Sequence, residues 1–112
     1  MSEAARVYER IMLSASRLRE LQLFHRSLGD ANRLRIIRIL AVDGDRTASE
    51  LVQRIRISQP LMAWHLHRLK RAGIITMERT GREVRCSFDR SKFAELQERT
   101  IRILGNPSEM LG

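Results

Sequence analysis

The sequence predicts a mainly α-helical domain with one small β-hairpin, arranged as a winged helix-turn-helix. Three observations predict it. Apolar residues recur at helical spacing over most of the 112 residues. The period drops to two only between residues 75 and 89, across a Gly-containing turn. Just before that hairpin, two helical stretches are joined by nothing more than Arg56-Ile57. A short link between two helices, followed at once by a basic hairpin, is the chain order of this architecture. One domain over residues 1–112 fits the length, because a division would leave neither half a sizeable core.

Residues 3–28 read as the first helix. Val7, Ile11, Leu18 and Leu21 follow the 3.6-residue period, and Tyr8, Met12, Phe24 and Leu28 fill a neighbouring stripe. That is more apolar girth than one small core requires, and Gly29 supplies the stop. A second helix over about 32–42 points Leu34, Ile37 and Leu40 inward and Arg33, Arg35 and Arg38 outward, before the turn Asp43-Gly44-Asp45. Thr47-Ala48-Ser49-Glu50 has the spacing of a capping box, in which hydroxyl and carboxylate each satisfy an orphan amide. It opens a short helix carrying Leu51, Val52 and Ile55. Ser58 caps the next helix with Pro60 in its first turn, where a missing N–H costs nothing. That helix runs to Ala72 on Met62, Leu66 and Leu69, and Gly73 ends it. The helix-turn-helix therefore covers 47–72.

In the wing, residues 75–89, Ile75 and Met77 alternate with Thr76 and Glu78. Beyond Thr80-Gly81, Val84, Cys86 and Phe88 alternate with Arg85, Ser87 and Asp89. Ser91 is expected to cap a last helix with Phe93, Leu96, Thr100 and Ile103 on one stripe. The segments 1–28 and 91–106 are then dimerisation helices: their apolar stripes exceed what one core can absorb.

Charge narrows the partner. The chain carries 21 Lys+Arg against 13 Asp+Glu, a net +8, and seven of those eight excess charges fall between residues 31 and 90. Nineteen of the basic residues are Arg, whose planar fork suits phosphate oxygens and base edges. Charge concentrated in the middle segment points to a polyanion. The one cysteine, Cys86, excludes an internal disulfide and a Cys-rich zinc site. The longest aliphatic run near the N-terminus is Ile11-Met12-Leu13, too short for a membrane span or a signal-peptide core, and Glu3, Glu9 and Glu20 are wrong for a transit peptide. A soluble cytoplasmic protein is expected. No nucleophile–base pair, carboxylate pair or phosphate-cradling glycine loop appears, so neither an enzyme nor a cofactor is expected.

Two motifs carry a resemblance. Leu28-Gly29-Asp30-Ala31-Asn32-Arg33-Leu34-Arg35-Ile36, then Ser58-Gln59-Pro60 through His65-Leu66, Leu69 and Gly73, resemble the ArsR/SmtB family of bacterial winged-helix repressors. The likeness covers about residues 20–104. It implies a homodimer whose first and last helices form the subunit face, and repression of operator DNA released by a metal ion or another signal. The sensor positions depart from the family. Thr47 and Ser49 stand where its arsenic and cadmium sensors have a Cys-x-Cys pair. Arg90, Lys92, Ile103 and Asn106 stand near the ligands of its zinc sensors. No metal site is expected, since cationic side chains repel a divalent ion.

With Met62, Leu66 and Leu69 inward, helical geometry opens Gln59, Pro60, Ala63, Trp64, His67 and Arg71. Gln59, beside the cap Ser58, is the candidate for direct readout, since its amide both donates to and accepts from adenine. Ala63 suits a thymine methyl; His67 and Arg68 suit phosphates. In the hairpin, Arg79, Arg82 and Arg85 suit a minor-groove or backbone contact. Trp64 is expected to pack against the wing or the first helix, with a groove-lining role as the alternative. His65 and His67 point about 200° apart and cannot chelate one ion. Cys86 reads as a buried small hydrophobe, with a redox signal left open. The reading is a homodimeric, sequence-specific DNA-binding regulator. The alternatives are an architectural or constitutive DNA-binding protein without an effector, and a winged helix used for protein contact.

Overall fold

The computed structural model describes residues 2–12 and 14–105, without the side chains of Tyr8, Ile11 and Met12. Among the described residues, six helices and three strands follow one another: α1 (Glu3–Met12), α2 (Ala15–Leu28), α3 (Ala31–Asp43), β1 (Arg46–Thr47), α4 (Ala48–Ile55), α5 (Gln59–Arg71), β2 (Ile75–Thr80), β3 (Glu83–Phe88) and α6 (Arg90–Leu104). None is long and apolar enough to cross a membrane. The predicted class holds: a mainly helical chain with a small antiparallel hairpin.

Four local expectations change. The single helix over 3–28 is two, because Ser14 stands in extended backbone (φ −59°, ψ 148°) and its carbonyl opens α2 by accepting from Leu18 N–H at 2.9 Å. Serine favours such cap positions over helix interiors. In α3, Leu34 is 50% exposed while Arg33 is buried beside Ile36, Ile37 and Leu40. The hairpin belongs to a three-stranded sheet of order β1-β3-β2, with Arg46 opposite Cys86 and Thr47 opposite Arg85. Two residues are too few to show a period, so β1 has no signature in the sequence. Finally, Asp89, not Ser91, caps α6. Its Oδ1 accepts from Lys92 N–H at 3.0 Å, and its own N–H donates to the Ile74 carbonyl at 2.8 Å.

The remaining devices form as read. Thr47 Oγ1 accepts from Glu50 N–H at 3.1 Å and Glu50 Oε1 from Thr47 N–H at 3.2 Å, closing the capping box. Phe24, Ile36, Leu51, Met62, Leu66, Leu69, Ile74 and Leu96 fill one core. Phe93 meets Phe24 edge-on at 5.2 Å and Phe88 at 5.4 Å, joining α2, α6 and the base of the wing. Glu20 of α2 pairs with Lys92 at 2.7 Å and Arg99 at 3.2 Å, adding a polar tie between α2 and α6.

That packing revises the apolar stripes. Leu21 and Leu96, expected at a subunit face, lie in the protomer's own core. Phe93, Thr100 and Ile103 are half-buried, Thr100 donating to the Leu96 carbonyl at 2.9 Å and accepting from His25 Nε2 at 2.8 Å. Val7 and Leu18 stay exposed, as do Ile101 and Leu104, while the Ile11 side chain lies outside the described residues. The molecule measures 54 × 25 × 20 Å with a radius of gyration of 17.1 Å. A compact domain of this length would have about 13 Å.

Candidate nucleic-acid interface

α5 is held at both ends. Ser58 Oγ accepts from Leu61 N–H at 3.3 Å, Pro60 sits in the first turn, and Ala72 N–H returns to the Arg68 carbonyl. The turn from α4 is closed by Arg56 in the left-handed region (φ 63°, ψ 46°), its N–H on the Val52 carbonyl at 2.8 Å. A non-glycine residue there costs of order 1 kcal/mol, which the packing of α4 against α5 must offset. Met62, Leu66 and Leu69 anchor the inner face, so Gln59, Pro60, Ala63, Trp64, His67 and Arg71 stand open. This is the face that the periodicity predicts.

The wing turns tightly. Thr80 pairs with Glu83, leaving Gly81-Arg82 as a two-residue loop, and Gly81 has φ +65°. A positive φ at the first central position and a negative one at the second is the sign pattern of a type II′ turn, which favours glycine first. The turn presents Arg82 at its tip and Arg79 one residue before Thr80. Both are exposed, and among the described residues neither takes part in an ion pair. Arg85 differs: its Nε lies 3.4 Å from Asp45 Oδ2, so it braces β3 against the loop before β1.

Between α4, α5 and the wing lies a cleft of about 430 Å³. Gln59, Ala63 and His67 line it on the α5 side, and Arg79 and Arg82 on the wing side. Five of the sequence-predicted residues therefore meet around one concavity, although up to 23 positions separate them in the chain. Trp64, Arg68 and Arg71 do not join them, and Ser58 is spent as the cap.

Trp64 keeps about half of its surface open, and its ring is flanked by His65 and two guanidiniums. It is 48% exposed, with the Arg68 guanidinium 4.4 Å and the Arg33 guanidinium 5.5 Å from its ring centre. Arg33 is the fixed member: Nε donates to the Ser27 carbonyl at 2.8 Å and an Nη to His65 Nδ1 at 3.0 Å. Since Nδ1 accepts from a permanent cation, His65 is neutral with its proton on Nε2. Burial, reinforced by Arg33 and Arg68 and opposed by Asp30, lowers its pKa, in keeping with that state. Asp30, 4.0 Å from the same nitrogen, is engaged in capping α3 through Arg33 N–H.

No group of three or more His, Cys, Asp or Glu suited to a metal ion occurs among the described residues. Thr47 is spent in the capping box. Arg90 donates to the Ala41 carbonyl at 3.0 Å, and Lys92 is paired with Glu20, which raises its pKa. Ile103 has no donor atom, and Asn106 lies outside the described residues. Cys86 is fully buried, and burial pushes its thiol up to about 11, which argues against the redox role left open by the sequence.

Known proteins resemble the chain in the same places. A helix-turn-helix domain family matches residues 28–78. A probable mercury resistance operon repressor of Streptomyces lividans is 34% identical over 73 residues, 65% of this chain and 58% of the relative. The HTH-type transcriptional repressor SmtB of Mycobacterium tuberculosis is 48% identical over 42 residues, 38% of this chain and 31% of its own length. The chain thus spans between 31% and 58% of the length of these relatives. Among solved structures, an ArsR-like transcriptional regulator from Rhodococcus sp. RHA1 superposes with a TM-score of 0.74 at 26% identity, covering 87% of this chain and 91% of that one. The transcriptional repressor BigR from Xylella fastidiosa gives 0.59 at 28% identity, covering 74% and 84%. With the helix-turn-helix and the wing in place, the chain has a winged helix-turn-helix fold and is similar to regulators of the ArsR/SmtB type.

Proposed function

We propose that the protein is a sequence-specific, double-stranded DNA-binding transcriptional regulator, acting in the cytoplasm as a homodimeric repressor without the usual metal ligands and without catalytic activity. One observation carries the reading: Gln59, Ala63 and His67 of α5 face the same cleft as the wing cations Arg79 and Arg82. The N-terminal turn of α5 enters the major groove, Gln59 meets a base edge, and the wing holds the adjoining backbone. Likeness to two proteins named as repressors supports the direction of regulation. Exposed Val7, Leu18, Ile101 and Leu104 and the extended shape support a dimer through α1, α2 and α6. The Streptomyces relative is named for mercury resistance, but this chain's one thiol is buried and protonated, so another signal is expected.

The test is selection of bound sites from a random duplex pool, followed by affinity measurements on the selected sequence and its point variants. A defined motif is expected, and Gln59→Ala should lose preference at one position, by about 1–3 kcal/mol. Failure of the protein to retain any duplex in low-salt buffer overturns the reading.

A further inference from the structure

α5 has two exposed flanks, and the wing serves only one. Arg68 lies nine residues beyond Gln59, about 180° around the helix axis. On that opposite flank, between the ends of α2 and α5, is a second hollow of about 150 Å³, lined by Leu23, Arg26, Ser27, Arg68 and Arg71. The Ser27 hydroxyl is occupied by the Phe24 carbonyl at 2.8 Å, so the polar groups free to meet a ligand are the three guanidiniums. Among the described residues none of the three belongs to an ion pair. Arg68 is restrained by its stacking on Trp64, which lowers the entropy lost on gripping an anion.

Three like charges in one hollow need compensation. The carbonyl ends of α2 and α5 supply about half a negative charge each. About two positive charges remain uncompensated. A helix in the major groove, about 12 Å wide, has a row of phosphates on each side. Wing cations account for one row, and Arg26, Arg68 and Arg71 stand toward the other.

We propose that Arg26, Arg68 and Arg71 form a phosphodiester-binding site for the DNA strand on the side of α5 away from the wing. This rests on the DNA-binding reading above, and it adds Arg26, which belongs to neither the helix-turn-helix nor the wing. The site positions the duplex without reading its sequence.

The experiment is fluorescence anisotropy of a labelled duplex, taken from the selected pool, titrated from about 50 to about 300 mM salt. Wild type, Arg26→Ala, Arg26→Lys, Arg82→Ala and the Arg26→Ala/Arg82→Ala double variant are compared. Arg26 is exposed, so melting curves should show these proteins folded. Each lost phosphate contact should reduce the log–log salt slope by about 0.9. With affinities equal at 1 M salt, that is about fivefold weaker binding at 0.15 M. Arg26→Ala and Arg82→Ala should each show this loss on every duplex alike, the double variant about twice the slope change, and Arg26→Lys should recover it. If Arg82→Ala changes the slope and Arg26→Ala does not, the second site is refuted while DNA binding stands. If inorganic phosphate perturbs the Arg26 and Arg68 side-chain resonances but Arg26→Ala leaves the slope intact, the hollow is a small-anion site and the proposal fails. Absence of duplex binding by the wild type overturns both.

Discussion

Replacing Arg33 by Met tests the internal logic of the interface helix. Arg33 is 6% exposed, and its guanidinium serves two buried acceptors, the Ser27 carbonyl at 2.8 Å and His65 Nδ1 at 3.0 Å, beside a longer contact to the part-buried Arg26 carbonyl at 3.5 Å. Met keeps most of the aliphatic volume but donates nothing, so both acceptors lose their partner. An unsatisfied buried polar group costs about 1–3 kcal/mol, and two give roughly 2–6 before relaxation. Removing the buried charge returns part of that through lost desolvation. A net destabilisation of about 3 kcal/mol is expected, near 12 °C in melting temperature for a chain of this size. The assay is thermal unfolding by circular dichroism at fixed protein concentration, since dimerisation would make the midpoint concentration-dependent. Nitrogen-15 spectra of the imidazole give a second readout. Burial is the main cause of the lowered His65 pKa, but without Arg33 the ring loses one of the two cations that also oppose its protonation, so the pKa should rise part of the way toward its ordinary value. A loss below about 0.5 kcal/mol, the range of an ordinary surface substitution, would refute the claim that Arg33 organises this region.

The lowered His65 pKa has its own consequence. The folded state prefers the neutral ring, so this stability is complete above the ordinary value of 6.5 and fades as pH falls from there toward the folded pKa. Urea unfolding between pH 7.5 and 5 should show it, and a His65→Asn variant should lack that component. Gly81→Ala meets no atom within 4 Å, so its cost is conformational, about 1 kcal/mol from placing a side chain at φ +65°; a stabilised variant would contradict the turn assignment. Cys86 in the folded protein should react with an aromatic disulfide reagent far more slowly than in denaturant, because the thiol is both inaccessible and protonated. Equal rates would place it at the surface. Sedimentation equilibrium should give twice the 13.0 kDa chain mass, and Leu18→Glu should shift it toward monomer.

Much of the reading face was legible because α5 obeys a simple rule. Met62, Leu66 and Leu69 repeat at helical spacing, and every residue assigned to the open side by that repeat is exposed. α3 defeated the same rule. Leu34 and Arg33 exchange places because the inward position there must donate to a carbonyl and an imidazole from other segments, which a leucine cannot do. The surroundings of Trp64 were hidden for a related reason: beside the neighbouring His65 ring stand two guanidiniums, one brought from 31 residues away. The stripes of α2 and α6 were visible, but their destination was not. Leu21 and Leu96 satisfy each helix by packing inside the protomer, and periodicity cannot distinguish an intramolecular face from an intermolecular one.

Local chemistry by itself determined the capping box at Thr47, the cap at Ser58, the glycine in the wing turn, the helical period of α5 and the charge of the middle segment, because each is decided within a few consecutive residues. Only the tertiary structure decided that β1 would join the wing, that Arg33 would be buried, and that Gln59 and Arg82 would face one cleft while Arg26 and Arg68 face another. Those outcomes depend on hydrogen bonds and burial between segments distant in the chain. A spacing rule contains no information about such partners.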